Sequence, residues 1–369
     1  MDFTTSEAAT DLGGLVRTIT ESVCTPDHQR DLDKLGQRFD RQLWRTLTDA
    51  DVLSAAAPEG LGGGGFGVLE QVAVLTALGR QLAAVPYLES IVLGAGALGR
   101  FGSGDLQRDW AAPALTGQKI LTVALDGDMG QGPVQAAVVD GGFRLTGART
   151  MIGYGPAADA FLVSAETPTG TAVFVVSTSD PGVAVTVLDT TGNGSVGHLE
   201  LEGTDVGADR LVGGSESGES VLTWLTTLAT LGRSAFQLGV LERALEVTAA
   251  YASEREQFGR PIGSFQAVAQ RLADGYIDVK GLRLTLTQAA WRVSEDLPAD
   301  LEVGTAAFWA ADAGHRIAHT AVHVHGGVGV DKDHPVHRYF LAAKQTEFAV
   351  GGATGQLLRI GRELAGTPV

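Results

Sequence analysis

From Ser217 to Arg255 the sequence keeps a helical apolar pattern with few breakers, and Gln266 to Glu295 does so again. Segments this long read as two neighbouring helices of a C-terminal bundle. The N-terminal part is also helical in texture. Leu32, Leu35 and Phe39, then Leu43 and Leu47, then Val68, Val72, Leu75 and Leu78 recur at three- and four-residue spacing. Between these regions the texture changes to short β-branched runs: Ile120 to Leu125, Ala136 to Val139, Ala160 to Ser164, Ala172 to Val176 and Val183 to Leu188. Gly141-Gly142 and Asp180-Pro181-Gly182 supply turn residues between them. The 369 residues suit two or three domains, at roughly 150 residues each. The reading is an α+β chain: a helical domain over 1–118, a β domain over 119–214 and a helical bundle over 215–369.

Charge and cysteine content narrow the function classes. The formal net charge of −16 argues against nucleic acid or an anionic membrane as the main partner. Cys24 is the single cysteine, so neither an intrachain disulfide nor a cysteine metal cluster is available. The N-terminal residues lack the basic start and apolar run of a signal peptide. Apolar stretches such as Ile91 to Leu98 fall far short of the roughly 20 residues a spanning helix needs. A cytoplasmic protein is the expectation.

Three motifs compete for a role. Gly62 to Gly67 satisfies G-x-G-x-x-G on paper, but helical sequence precedes it and Pro58-Glu59-Gly60 breaks the chain. It reads as a turn between helices rather than a dinucleotide fingerprint. His315, His319 and His323 share a helix face, with no carboxylate on that helix to complete a ligand set, so polar packing is favoured over metal. The run from Arg255 to Gln266 is richer. It sits between the two long helices, with Gly259 and Pro261 turning the chain. Arg255 offers forked donors for a phosphate, Gln257 an amide and Phe258 a flat apolar surface.

The order Arg-Glu-Gln-Phe-Gly-Arg-Pro-Ile-Gly-Ser-Phe-Gln over 255–266 resembles the acyl-CoA dehydrogenase family. So does His323-Val324-His325-Gly326-Gly327-Val328-Gly329, which is similar to the family's Gln-x-x-Gly-Gly-x-Gly turn, and so does Pro58-Glu59-Gly60-Leu61-Gly62-Gly63 near the N-terminus. The resemblance spans nearly the whole chain. It implies a helical N-terminal domain, a central β-barrel-like domain and a C-terminal four-helix bundle. It further implies FAD contacts from Arg255, Gln257, Phe258, Phe265, Gln266, His323, Gly326 and Gly327, and no metal. In that glycine turn, absent side chains let backbone amides approach a pyrophosphate.

Against the family pattern this chain has losses. The family's glutamate base falls on Val350, and the alternative base site on the preceding long helix falls on Ala229. Neither side chain accepts a proton. Glu347, one helical turn before Val350, is the fallback candidate. The strand that hydrogen-bonds the flavin ring in the family reads Leu125-Asp126-Gly127-Asp128, and the segment beside the ring reads Met151-Ile152-Gly153. Contacts to the chain's own flavin are therefore missing, while contacts to a neighbour's FAD are kept. This is similar to the degenerate subunit of the α2β2 acyl-CoA dehydrogenases of bacterial steroid and cholesterol side-chain degradation. The resemblance implies FAD shared with a homologous catalytic subunit that binds most of the acyl-CoA. A self-sufficient homomer with a relocated base and a flavin-free scaffold are the alternatives.

Overall fold

The computed structural model describes residues 5–125, 132–192, 194–214 and 217–366. Among the described residues eight α-helices come first: α1 (Glu7–Val23), α2 (Pro26–Asp33), α3 (Arg41–Asp49), α4 (Val52–Ala55), α5 (Val68–Arg80), α6 (Gly96–Phe101), α7 (Gly104–Leu106) and α8 (Ala112–Leu115), with π-helical turns at Tyr87–Ala95 and Gln107–Ala111. Eight strands follow: β1 (Leu121–Ala124), β2 (Val134–Val139), β3 (Gly142–Gly153), β4 (Ala160–Thr167), β5 (Gly170–Ser177), β6 (Val183–Val187), β7 (Val196–Gly207) and β8 (Leu211–Val212). The C-terminal part holds α9 (Gly218–Glu254), a two-strand ladder of β9 (Glu256–Gln257) and β10 (Arg260–Pro261), α10 (Gln266–Ser294), α11 (Asp300–His325), α12 (Val336–Ala349) and α13 (Gly352–Gly366). Gly62 to Gly67 lies between a short 3-10 turn and α5, with no strand before it.

The chain divides into two compact units that interleave along the sequence. One comprises Asp27–Gly67 and Ala84–Ala229; the other comprises Met1–Pro26, Val68–Ala83 and Thr230–Val369.

The first unit is organised by the sheet, in the order β6-β7-β3-β2-β4-β5-β8, with β1 pairing parallel to β4. Its end strands β6 and β8 do not pair with each other among the described residues. Leu145, Phe161, Val163, Phe174, Val176, Leu199 and Leu201 form its core. The two longest strands, β3 and β7, are absent from the β-branched runs read in the sequence. Glycines interrupt both strands, charged residues such as Arg144, Glu200, Glu202 and Asp205 take exposed positions, and in β7 burial alternates over Leu199 and Leu201. The register of β3 against β7 slips between Arg149 and Ile152, where Met151 takes a positive φ of 57°.

The second unit is helical. Ser6 caps α1 by accepting from the Ala9 amide at 3.0 Å, and its hydroxyl donates to Glu70 at 2.9 Å. That end of α1 is thereby tied to α5. Helices α5 and α9 approach through glycines: a Cβ on Gly79 would run into the Phe236 carbonyl, and one on Gly239 into the Thr76 carbonyl. Helix α11 carries Ala306, Ala307, Ala310, Ala311, Ala313 and Gly314, all buried. This small-residue surface lets its neighbours pack close. Buried Gln237 on α9 donates to the carbonyls of Ala310 and Ala343, 3.1 Å each, stapling α9 to α11 and α12. Among the described residues no helix is long and apolar enough to cross a membrane.

Candidate cofactor-binding corner

Helix α9 ends as its polar terminus meets a tight hairpin. The Arg255 amide still donates to the Tyr251 carbonyl at 2.8 Å, and the Ile262 amide returns to the Arg255 carbonyl at 2.8 Å. Between them β9 and β10 pair antiparallel, leaving Phe258 and Gly259 as the two turn residues. Their φ values, 54° and 75°, are both positive, as a type I′ turn demands. Glycine tolerates this region; phenylalanine is strained there.

Phe258 is also 94% exposed. Its ring meets Phe265 edge-on at 6.1 Å, and the Arg260 guanidinium lies 4.3 Å over the Phe265 ring. A large aromatic held in a strained conformation, 94% exposed and touching Phe265 only edge-on, is the signature of a contact surface. Arg255 is exposed beside it, with no carboxylate partner among the described residues. The Gln257 amide turns back onto the Glu256 carbonyl at 2.7 Å. Phe265 is the N-cap residue of α10 and Gln266 its first residue.

The glycine turn lies at the end of α11. Gly326 has φ 65° and ψ −138°, and its amide caps the helix onto the His323 and Val322 carbonyls. A Cβ at Gly326 or Gly327 would meet nothing within 4 Å, so open space adjoins the backbone there. His323, which the resemblance places at a glutamine position, is exposed. Sequence reasoning passed over Tyr251, which joins the corner to the turn: its ring stacks on buried His325 at 4.3 Å and 23°. The aromatic pair falls on two segments far apart in sequence, so no local pattern signals it. Exposed arginine and aromatic surface on one side and an unobstructed backbone turn on the other suit an elongated, anionic, partly aromatic ligand such as FAD.

The positions onto which the resemblance places a base look different. Val350 caps the end of α12, is 4% exposed and packs with Ala307, Ala311 and Ala353. Its apolar neighbours are alanine methyl groups, while Gln356 donates to its carbonyl and Arg233 to that of Ala349. Ala229, in the sheet-containing unit, is buried on α9. Glu347 is engaged: Lys344 Nζ lies 2.5 Å from one carboxylate oxygen and His315 Nδ1 3.2 Å from the other. Its neighbour His319, with its ring centre 4.5 Å from that of His315, is held below the ordinary histidine range by burial, then by His315 and Lys344. His315 and His319 thus serve a polar cluster with α12.

Asp126, Gly127 and Asp128 lie outside the described residues. Met151 is exposed at the β3 bulge and Ile152 is buried. At Gly153 a Cβ would stand 3.0 Å from a Glu89 carboxylate oxygen, so Glu89 occupies the space a side chain would need.

The family model for the acyl-CoA dehydrogenase N-terminal domain matches residues 6–118, and that for the acyl-CoA dehydrogenase C-terminal domain matches residues 216–365. Acyl-CoA dehydrogenase FadE27 of Mycobacterium tuberculosis is 73% identical over 376 residues, covering 100% of this chain and 100% of FadE27. The crystal structure of the ChsE4-ChsE5 complex from Mycobacterium tuberculosis contains a chain similar to this one at TM-score 0.97 and 74% identity, with 100% of both chains covered. A Tcur3481-Tcur3483 steroid ACAD variant matches at TM-score 0.91 and 36% identity, covering 98% of this chain and 99% of that one.

Proposed function

The chain belongs to the acyl-CoA dehydrogenase family, and from that premise we propose that it is a supporting subunit that completes the FAD site of a glutamate-bearing homologue. The observation that carries this reading is an asymmetry. The strained, exposed Phe258 hairpin with Arg255 is kept, while the base position holds Val350 among alanines.

In this arrangement Arg255 gives forked, charge-assisted donors to a pyrophosphate and Gln257 adds an amide. Phe258, with Phe265 beside it, supplies the apolar wall that keeps water from the bound group. The Gly326-Gly327 turn brings backbone close to the phosphates because no Cβ intervenes, and His323 and Gln266 contribute polar edges. Bound there, FAD supplies the two-electron acceptor for α,β-desaturation of an acyl-CoA thioester. The proton is taken by the partner's carboxylate, because Val350 and Ala229 accept none. The acyl-CoA is accordingly bound mainly by that partner. Two structural relatives carry paired names, and one is described as a steroid ACAD. An α2β2 assembly acting on a steroid-derived acyl-CoA is therefore the favoured form. A self-sufficient homomer would need Glu347 as base, and that carboxylate is committed to Lys344 and His315. A flavin-free scaffold gives no reason to keep Phe258 strained and exposed.

The test is to purify the chain alone and co-expressed with a glutamate-bearing homologue, then count flavin by native mass spectrometry. The expected result is a chain that by itself neither holds stoichiometric FAD nor oxidises acyl-CoA, and an α2β2 complex with one FAD per αβ pair. Arg255→Ala should weaken FAD in the complex about tenfold to a hundredfold, the loss of roughly 1.5–3 kcal/mol for a charge-assisted contact. A yellow, active homomer, or two flavins per pair, overturns the reading.

A further inference from the structure

Between the Arg255 hairpin and the Gly326-Gly327 turn three rings cluster, Tyr251 stacked on His325 and His334 tilted against both. Tyr251 sits one turn before Arg255 at the end of α9, and His325 is the last residue of α11 before Gly326. Their ring centres are 4.3 Å apart. His334, from the segment after the glycine turn, lies 4.9 Å from His325 and 6.4 Å edge-on from Tyr251. We propose that the Tyr251–His325–His334 stack is the positioning element that sets the Arg255 hairpin against the Gly326-Gly327 turn, so that both engage one pyrophosphate. This deepens the FAD reading above and rests on it.

The hydrogen bonds fix the protonation of both imidazoles. A backbone carbonyl can only accept, so His325 Nδ1, 2.8 Å from the Ala321 carbonyl, carries a proton and donates it. His325 Nε2 is then a bare lone pair, and it is buried without any partner in a residue only 3% exposed. A backbone amide can only donate, so His334 Nδ1, which the Val336 amide approaches at 3.3 Å, is unprotonated. The stack is therefore built from neutral rings. A second proton on His325 would place a cation and an unanswered N–H in the packed layer, and one on His334 Nδ1 would break its bond to Val336.

The surroundings agree. His325 is held below the ordinary histidine range by burial, which outweighs its bond to Ala321. His334 is lowered by burial first and then by His325; Asp331 opposes this and His337 adds to it. The groups facing the stack are thus Tyr251 from α9, the Ala321 carbonyl from α11, Asp331 from the segment leading into α12 and His337 from the first turn of α12. The turn itself is clamped over His325: a Cβ at Gly329 would stand 3.2 Å from the His325 Cβ, and the Asp331 amide donates back to Val328 at 3.2 Å. Moving His325 moves the turn.

The experiment uses the complex with the glutamate-bearing homologue and FAD as the probe, with retention read by flavin fluorescence on dilution. Tyr251→Leu should weaken FAD about threefold to tenfold, the usual weight of an aromatic pair, whereas Tyr251→Phe keeps the ring and should match the wild type. His334→Leu gives a second, outer perturbation if Tyr251→Leu fails to fold. Imidazole resonances of the chain should show His325 titrating below its ordinary range, moving back toward it in Tyr251→Leu as water reaches the ring. In a His323→Gln background, which leaves one fewer exposed imidazole beside the turn, FAD retention should fall as the pH drops below about 6.5, where the lowered imidazoles begin to take a second proton. If Arg255→Ala releases FAD but the Tyr251 and His334 variants retain it and the pH series is flat, the positioning role is wrong. If Arg255→Ala itself is silent, the pyrophosphate reading falls and takes this proposal with it.

Discussion

Val350→Glu puts a carboxylate where the family resemblance places the base, and the surroundings of Val350 make the expected cost calculable. The side chain is 4% exposed and packs on Ala307, Ala311 and Ala353, so a carboxylate there meets methyl groups. It would also stand at the C-terminal cap of α12, where the helix dipole disfavours negative charge. Two penalties add: extra volume, about 1–3 kcal/mol, and an uncompensated buried charge, about 3–5 kcal/mol. Val350→Met isolates the first, since it adds length without charge. The charge part depends on pH. In the folded state the new carboxyl has its pKa raised above the unfolded value of about 4.3, so the folded state binds more protons and stability falls as pH rises. The loss begins near pH 4.3 and grows by about 1.4 kcal/mol per pH unit up to the folded-state pKa. Urea unfolding at about pH 8 and pH 5 should therefore show Val350→Glu far less stable than Val350→Met at the higher pH, the gap narrowing at the lower. Equal stabilities at both values would mean that the position is not an apolar pocket, and would reopen it as a site for a base.

Glu347→Gln should leave turnover of the complex within about twofold, because a removed general base costs a factor of roughly 100 or more and Glu347 serves Lys344 and His315 instead; abolished turnover with intact flavin would make this chain the catalytic one. Phe258→Gly should raise the stability of the flavin-free chain by about 1 kcal/mol by relieving the left-handed φ, while lowering FAD affinity in the complex; thermal melts and flavin titration read the two effects, and a melt lowered along with affinity would contradict them. Gly79→Ala should destabilise by about 2–3 kcal/mol, since its Cβ would enter the Phe236 carbonyl; an unchanged urea midpoint would show that α5 and α9 separate freely.

The sequence by itself determined the long helices, because an apolar stripe at three- and four-residue spacing is a local property. The reading Ser217 to Arg255 lies within one residue of α9 at each end, and Gln266 to Glu295 lies within one residue of α10. Residue identity also showed that Val350 and Ala229 carry no proton acceptor, since that is chemistry and not geometry. Strands β3 and β7 escaped notice because glycines and charged residues interrupt their apolar positions; pairing with each other and with β2 and β6 makes them strands. The strain at Phe258 came from the hairpin closing around it. The engagement of Glu347 needed α11 and α12 side by side, and the Tyr251–His325–His334 stack needed residues more than 70 positions apart to meet. Tertiary structure decided these points because each depends on which distant segments pack together, and packing is settled by the whole chain burying its apolar surface at once.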